Sequence, residues 1–446
     1  MLGTRRVAAC IFFGLSALVA AGCGGGGYNS GGTPAGPTPT PSPGPSITVN
    51  TRPLDNGDSF TYAGTTATSF VFQGASPSPA ASSIATVAQD VNVTAPSTFN
   101  GVSGVSDFTT RETDTTPLQV TTVTTDTYYQ SLALSPGSNL VDYGYNSSDS
   151  FGETLKVYYG ALDAPVPLIV DELPETSGAI WTNTAAETLD ETAPGNQTST
   201  RTVNDDGSYT DTTTYPSGST PPPLVTATIV ENSDGSGSYA LPVFGPPNST
   251  LTFGAPSGGS ISIVVSQPGQ ADQTFSVTVW YPLPLQLYSE TDTNKGSQSI
   301  PAGCNTAAKF GTRANAIEQD INRVDTVLGT TEALIQTQYV VPSFGVACVT
   351  LSDTLLNYYD YSGQSASVIT FSGTPLETTT ITTTLGLSAA TVASAAARVR
   401  SPSASAAYRI ANAKANFIAT VERYKLARER ALLTHLHKAL KTRVAR

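Results

Sequence analysis

Short runs in which β-branched and aromatic residues alternate with small polar ones recur from about residue 58 to residue 387. The segments 58–73 (DSFTYAGTTATSFVFQ), 118–134 (LQVTTVTTDTYYQSLAL), 154–162, 260–266, 273–281, 333–341, 346–353 and 378–387 share this character, which predicts strands. A period of two puts one face of each strand against a core and the other in water, as antiparallel sheets do. Residues 109–127 hold ten threonines in nineteen positions, a density that favours strands because threonine loses rotamer freedom in a helix.

Turn chemistry punctuates these runs. The segments 200–215 (TRTVNDDGSYTDTTTY) and 226–243 (TATIVENSDGSGSYALPV) share an outline in which a polar Asp-Gly turn follows T-x-T-[VI]. Asp206-Gly207 and Asp234-Gly235 are expected hairpin turns, since glycine accepts the positive φ such turns demand. A looser echo joins 140–148 (LVDYGYNSS) with 355–363 (LLNYYDYSG), but no fixed repeat period emerges. Proline-rich breaks at 216–223 and 242–247 either split the body into two subdomains near 216–247 or form long loops.

Two regions read as helical. The stretch 312–329 (TRANAIEQDINRVDTVLG) predicts a short helix stopped by Gly329. From Ser388 the composition turns to Ala, Arg and Lys: Ser388 offers an N-cap, Pro402 breaks the first helix, and a second is expected over 404–443. Ile410, Phe417, Val421, Tyr424, Leu432 and Leu436 fall on one side of it. The expected fold class is therefore mainly β, an antiparallel meander, sandwich or half-barrel, with a C-terminal α-helical segment.

Charge divides the chain unevenly. The total is −12, but residues 24–387 carry eight Lys and Arg against 32 Asp and Glu, whereas 388–446 carry twelve basic residues against Glu422 and Glu429. Only 13% of residues are charged, so Thr, Ser, Asn, Gln and Gly must provide most of the solubility. Both histidines, His435 and His437, lie in the basic segment, which removes imidazole chemistry from the body.

The N-terminus has the layout of an export signal. Arg5 and Arg6 precede an apolar run, Val7 to Ala21, too short to span a bilayer comfortably. The following Ala20-Ala21-Gly22-Cys23 resembles the lipobox of bacterial lipoproteins, departing from it in having alanine where leucine is usual. That resemblance covers about the first 23 residues. It implies removal of 1–22, acylation of Cys23 and stable membrane anchoring, and Gly24 implies the outer membrane. Residues 23–46, rich in Gly and Pro, then form an extended tether. The remaining domains are a β-rich acidic body over 47–387 and a basic helical tail over 388–446. Anchor and basic segment thus stand at opposite ends of the sequence.

In the mature chain two cysteines remain, Cys304 and Cys348, and an oxidising compartment makes a disulfide the expected state. Their spacing suits no metal motif. No G-x-S-x-G elbow, phosphate-binding loop or dinucleotide fingerprint is present. The Asp-Gly turns lack the first aspartate of a calcium loop, because Thr202 and Val230 stand there. The tyrosines at 128–129, 158–159 and 358–359, with Tyr143, Tyr145 and Tyr361, either form a stacking platform or pack across strands. Adjacent strand residues face opposite ways, so each pair gives one ring to each face.

These readings point to a non-catalytic binding or structural module at the cell envelope, with no cofactor, no catalytic residue and no nucleic-acid partner. Its contacts are the membrane, through Cys23, and an anionic lipid, cell-wall polymer or protein at the basic tail. The alternatives are a carrier of apolar ligands and, last, a secreted carbohydrate-active enzyme. The carrier reading rests on 324–349 with 57–62 (GDSFTY), which are similar to the curved meanders of lipoprotein-carrier half-barrels.

Overall fold

A computed structural model describes residues 56–73, 78–117, 119–134, 137–161, 164–165, 167–173, 177–193, 196–215, 225–240, 249–304, 310–341, 345–358 and 371–391. The expected signal, Cys23, the expected tether and the basic segment from 392 onward lie outside the described residues. Strands expected from alternation are present at every position. The first run comprises β1 (Ser59–Phe72), β2 (Ser78–Phe99), β3 (Val102–Thr115), β4 (Val120–Leu134), β5 (Gly137–Asp149) and β6 (Thr154–Ala161). The short β7 (Ala164–Pro165), β8 (Leu168–Leu173) and β9 (Ile180–Trp181) follow. A meander of shorter strands comes next: β10 (Glu187–Ala193), β11 (Gln197–Val203), β12 (Tyr209–Tyr215), β13 (Val225–Glu231), β14 (Gly237–Ala240), β15 (Thr250–Phe253), β16 (Ser260–Ser266) and β17 (Gln273–Thr278). Long strands close the chain: β18 (Tyr288–Ser299), β19 (Arg313–Asp325), β20 (Thr330–Val341), β21 (Gly345–Asn357) and β22 (Glu377–Thr391).

Nearly all of these strands form one antiparallel ribbon. From one edge it runs β17 back to β10, then β6 to β1, then β22 back to β18, and ends on β9, while β8 lies alongside the first half of β5. The strands flanking the proline-rich breaks pair directly, Tyr215 with Val225 and Ala240 with Thr250, so the sheet is not interrupted there.

A lone sheet buries an apolar face by curling onto itself. One buried cluster accordingly joins Phe60, Val91, Phe108 and Tyr129 of β1–β4 with Trp181 of β9 and Ile317, Val340 and Val349 of β19–β21. Tyr239, Phe253, Ile261 and Ile263 of the meander form a second cluster, capped by Val327 and Leu328 from the β19–β20 turn. A single row of directly opposed, buried residues links the two: Val93, Phe108, Thr127, Tyr145, Val157, Leu189, Arg201, Asp211, Ile229, Tyr239 and Leu251. Opposed residues point to one face, so this row is the spine of the interior.

Two expectations fail for physical reasons. The segment 312–329 is not a helix but β19 and its turn. Asn315, Ile317, Gln319 and Ile321 face inward while Glu318, Asp320 and Asn322 face out, and pairing with β18 and β20 satisfies the backbone. Its good helix formers are overruled by tertiary pairing. Ser388 caps no helix either: β22 continues through Thr391, and the Ser388 hydroxyl donates to the Thr61 carbonyl (2.7 Å). Among the described residues helical conformation is confined to a 3-10 turn, Ala302–Cys304, and to Phe310, and the helices expected beyond 392 lie outside them.

Cys304 and Cys348 are joined, with Cα atoms 5.6 Å apart, within the range a disulfide spans. The bridge ties the β18–β19 connection to β21, and Gly386 makes room, because a Cβ there would lie 2.0 Å from the Cys304 carbonyl oxygen. Replacing both cysteines by serine should cost about 4 kcal/mol in the chain-entropy account. Urea midpoints with and without reductant check this: reductant should lower the wild-type midpoint toward that of the variant and leave the variant unmoved.

Candidate functional site

By sequence β18 is polar throughout (YSETDTNKGSQS), yet Glu290, Asp292 and Asn294 are buried. Their burial follows from position. β18 pairs with β19 along its length and, near the ribbon's edge, with β9, where Asp292 stands opposite Trp181. After β9 the irregular segment 182–186 lays the half-buried Asn183 over this face. Its Nδ2 donates to Glu290 Oε1 (3.0 Å) and to Asp292 Oδ2 (3.1 Å). Gln319 Nε2 donates to Glu290 Oε1 at 2.5 Å, and the Tyr288 hydroxyl donates to Glu290 Oε2. Burial, then the Glu290 carboxylate, pushes the Tyr288 phenol well above its usual pKa. The Arg323 guanidinium lies 5.3 Å over the Tyr288 ring and 4.0 Å from Glu332.

This belt crosses the interior. Asp292, Gln319, Gln336, Leu351, Thr383 and Thr66 stand in one cross-strand row, which ends in a Thr66–Thr383 hydroxyl pair (2.9 Å). Several polar atoms along it have no hydrogen-bond partner in the protein although they are buried: Gln319 Oε1, Gln336 Nε2, Gln338 Oε1 and Trp181 Nε1. A buried amide or indole without a partner costs free energy, so such groups are ordinarily met by water or a bound molecule. Chemically the belt is a set of neutral donors and acceptors beside two carboxylates and one indole.

A second group stands on the outer face. Phe99, at the tip of β2, is stacked between Tyr128 (ring centroids 4.1 Å apart) and Tyr158 (5.4 Å), and Tyr143 joins the same cluster. Tyr143 reaches that face because β5 bulges at Gly144, whose φ is +130° and where a Cβ would meet the Val157 carbonyl oxygen at 2.0 Å. Asn146 Nδ2 donates to the Tyr128 hydroxyl (3.2 Å). Burial, then Asp126, raises Asp107 to about 6, and burial with Asp107 and Asp126 raises Tyr128 to about 12.

The tyrosine doublets divide between faces, Tyr129 and Tyr159 inward and Tyr128 and Tyr158 outward. Tyr358 stacks on Trp280 (4.7 Å), whereas Tyr359 and Tyr361 lie outside the described residues. Both Asp-Gly turns are hairpin turns of matching geometry. Asp206 Oδ1 accepts from the Ser208 hydroxyl (2.6 Å) and N–H (3.0 Å), and Asp234 from the same groups of Ser236 (2.6 and 3.0 Å). The serine hydroxyls hold both carboxyls below their usual range. No group of three His, Cys, Asp or Glu side chains forms a metal site among the described residues. Of the residues singled out by sequence, the two cysteines are brought together and Cys23 lies outside.

Sequence reasoning missed Asn183, Glu290, Asp292 and Gln319. A run of alternating Thr and acid reads as a solvated strand, and the helix expected over 312–329 hid Gln319. Comparison with known proteins adds no signal: no protein-family model matches the chain, and no curated protein is similar to it.

Asn183 can be tested alone. Replacement by leucine removes the shared donor and should cost about 1–3 kcal/mol. Replacement by aspartate adds a third carboxylate, so its deficit against wild type should widen between pH 5 and pH 8. Urea denaturation at the two pH values reads both effects.

Proposed function

We propose that the chain is a lipid-anchored, non-catalytic binding module of the bacterial envelope, held to its membrane at one end of the sheet by two signals. The anchor reading stands on the lipobox-like Cys23 and its tether. The second signal is supported by one observation, that Ser59 at the start of β1 is paired directly with Thr391 at the end of β22. Opposed residues in an antiparallel pair lie about 5 Å apart. The chain therefore enters and leaves the sheet at the same place, although the two segments stand at opposite ends of the sequence. A segment with twelve basic residues thus leaves the sheet at the place where the chain arrives from the Cys23 side.

Physical chemistry favours this pairing of signals. Basic residues near an anionic surface contribute about 1 kcal/mol each, so the basic segment adds a salt-sensitive contact to the anchoring that an acylated Cys23 supplies. The body, with its large acid excess, would be repelled by the same surface, which leaves the basic segment to make the contact. For a ligand, the inward belt of Gln, Asn, Glu and Asp weighs against a carrier of apolar molecules, whose site would need a continuous apolar lining.

Full-length protein expressed in bacteria with labelled palmitate tests the anchor: the label should be incorporated by the wild type and lost in Cys23→Ala. The protein made from residue 24 onward, without signal or Cys23, then tests the second signal. It should bind vesicles containing about 30% phosphatidylglycerol and not neutral vesicles, with binding falling at least about tenfold at high salt. Equal binding to both vesicles, or to neither, removes the basic segment from the reading without touching the anchor.

A further inference from the structure

The β19–β20 turn is inserted into the meander through two acids, the buried Glu231 and the half-buried Asp325. Glu231, the last residue of β13, accepts at Oε1 from both the Thr326 N–H (2.5 Å) and the Thr326 hydroxyl (2.6 Å). That hydroxyl also lies 3.0 Å from the Gly235 carbonyl. The neighbouring Asp325 accepts at Oδ1 from the Val327 and Leu328 N–H groups (3.1 and 2.6 Å) and at Oδ2 from the Tyr209 hydroxyl (2.7 Å). Tyr239 donates to the Val327 carbonyl (3.2 Å), and Val327 and Leu328 complete the meander's apolar cluster. Two carboxyls from distant parts of the chain thus hold one turn in place.

With Asp211 counted, the group around the pair carries −2 when every carboxyl ionises and −1 when one proton stays with it. The cation facing it is Arg201 of β11, which also bonds Asp211 of β12 (2.8 Å) and covers the Tyr209 ring (4.6 Å). Ser199 supplies a further donor to Asp211 (2.7 Å). The other titratable groups on this junction are Tyr209, Asp234 in the β13–β14 turn, and Tyr281 after β17, which feels both Glu231 and Asp234. One guanidinium therefore serves three carboxyls.

We propose that Glu231 and Asp325 form a proton-operated clasp, which keeps the β19–β20 turn seated in the meander while they retain one proton and loosens it when both ionise. Burial, then Asp325, holds Glu231 well above the usual carboxylate range, and burial raises Asp325 as well. The sign follows from linkage. A carboxyl that keeps its proton more tightly folded than unfolded gives full stability at acid pH. That stability falls as pH climbs from the ordinary glutamate value, about 4.3, toward the raised one. Loosening would uncover Val327, Leu328 and the aromatic cluster beneath them, while the Arg201–Asp211 pair stays in the sheet.

Amide hydrogen exchange of the full-length protein at Thr326, Val327 and Leu328, corrected for intrinsic base catalysis, reads the clasp between pH 5 and pH 9. Opening in the wild type should rise with pH, by at most about tenfold per unit, the limit for one proton. Glu231→Gln keeps an acceptor for Thr326 and removes the ionisable partner, so its profile should be flat. Asp325→Asn provides the same comparison from the other side should the first variant not fold. Parallel profiles in wild type and variant, or a wild-type profile that is itself flat, would overturn the proposal.

Discussion

The described residues fold almost entirely into one antiparallel ribbon, and among them no second layer covers its apolar face. Nearly everything else follows from that constraint. The ribbon must curl until residues of β3 and β4 meet those of β19 and β20, and inward positions must remain in phase from strand to strand. A slip of one residue anywhere would turn the side chains of that strand to water. The row from Val93 to Leu251 shows how far that phase is kept, across strands of very different length and composition.

Such an interior is not uniformly apolar. The row passes from aromatic packing around Phe108 and Tyr145 to the Arg201–Asp211 pair and back to Ile229 and Tyr239. A buried ion pair is weak support for stability by itself, because desolvation offsets the attraction, but it admits few registers. The Asp292–Gln319–Gln336 row does the same on the same inward face, in the other half of the ribbon. Hydrogen-bonding rows of this kind specify which strand lies beside which, in a chain whose Thr-rich strands would otherwise have near-equivalent partners.

How much of this was legible depends on what each residue must do. Alternating runs such as TSFVF and SISIVV announced their strands, and Asp-Gly announced the two hairpins, because both signals are local. The order of strands in the ribbon was not legible: that β1 lies between β2 and β22 is decided by pairing across more than three hundred positions. The belt was illegible for a related reason. Glu290, Asp292 and Asn294 become interior only because Trp181 and Asn183 arrive from another part of the chain. At 312–329 the local preference of Ala, Glu, Gln and Arg for helix was outweighed by neighbours on both sides.

The placement of β1 also has a mechanical meaning. A pull on the residues before Ser59 acts along β1, which is clamped by β2 on one side and β22 on the other through nearly its whole length. Force in that direction loads the rungs of both ladders together rather than parting them one after another. An edge strand such as β17, bonded to β16 alone among the described residues, would instead peel. A load entering at Ser59 would therefore be shared across the sheet from the first strand.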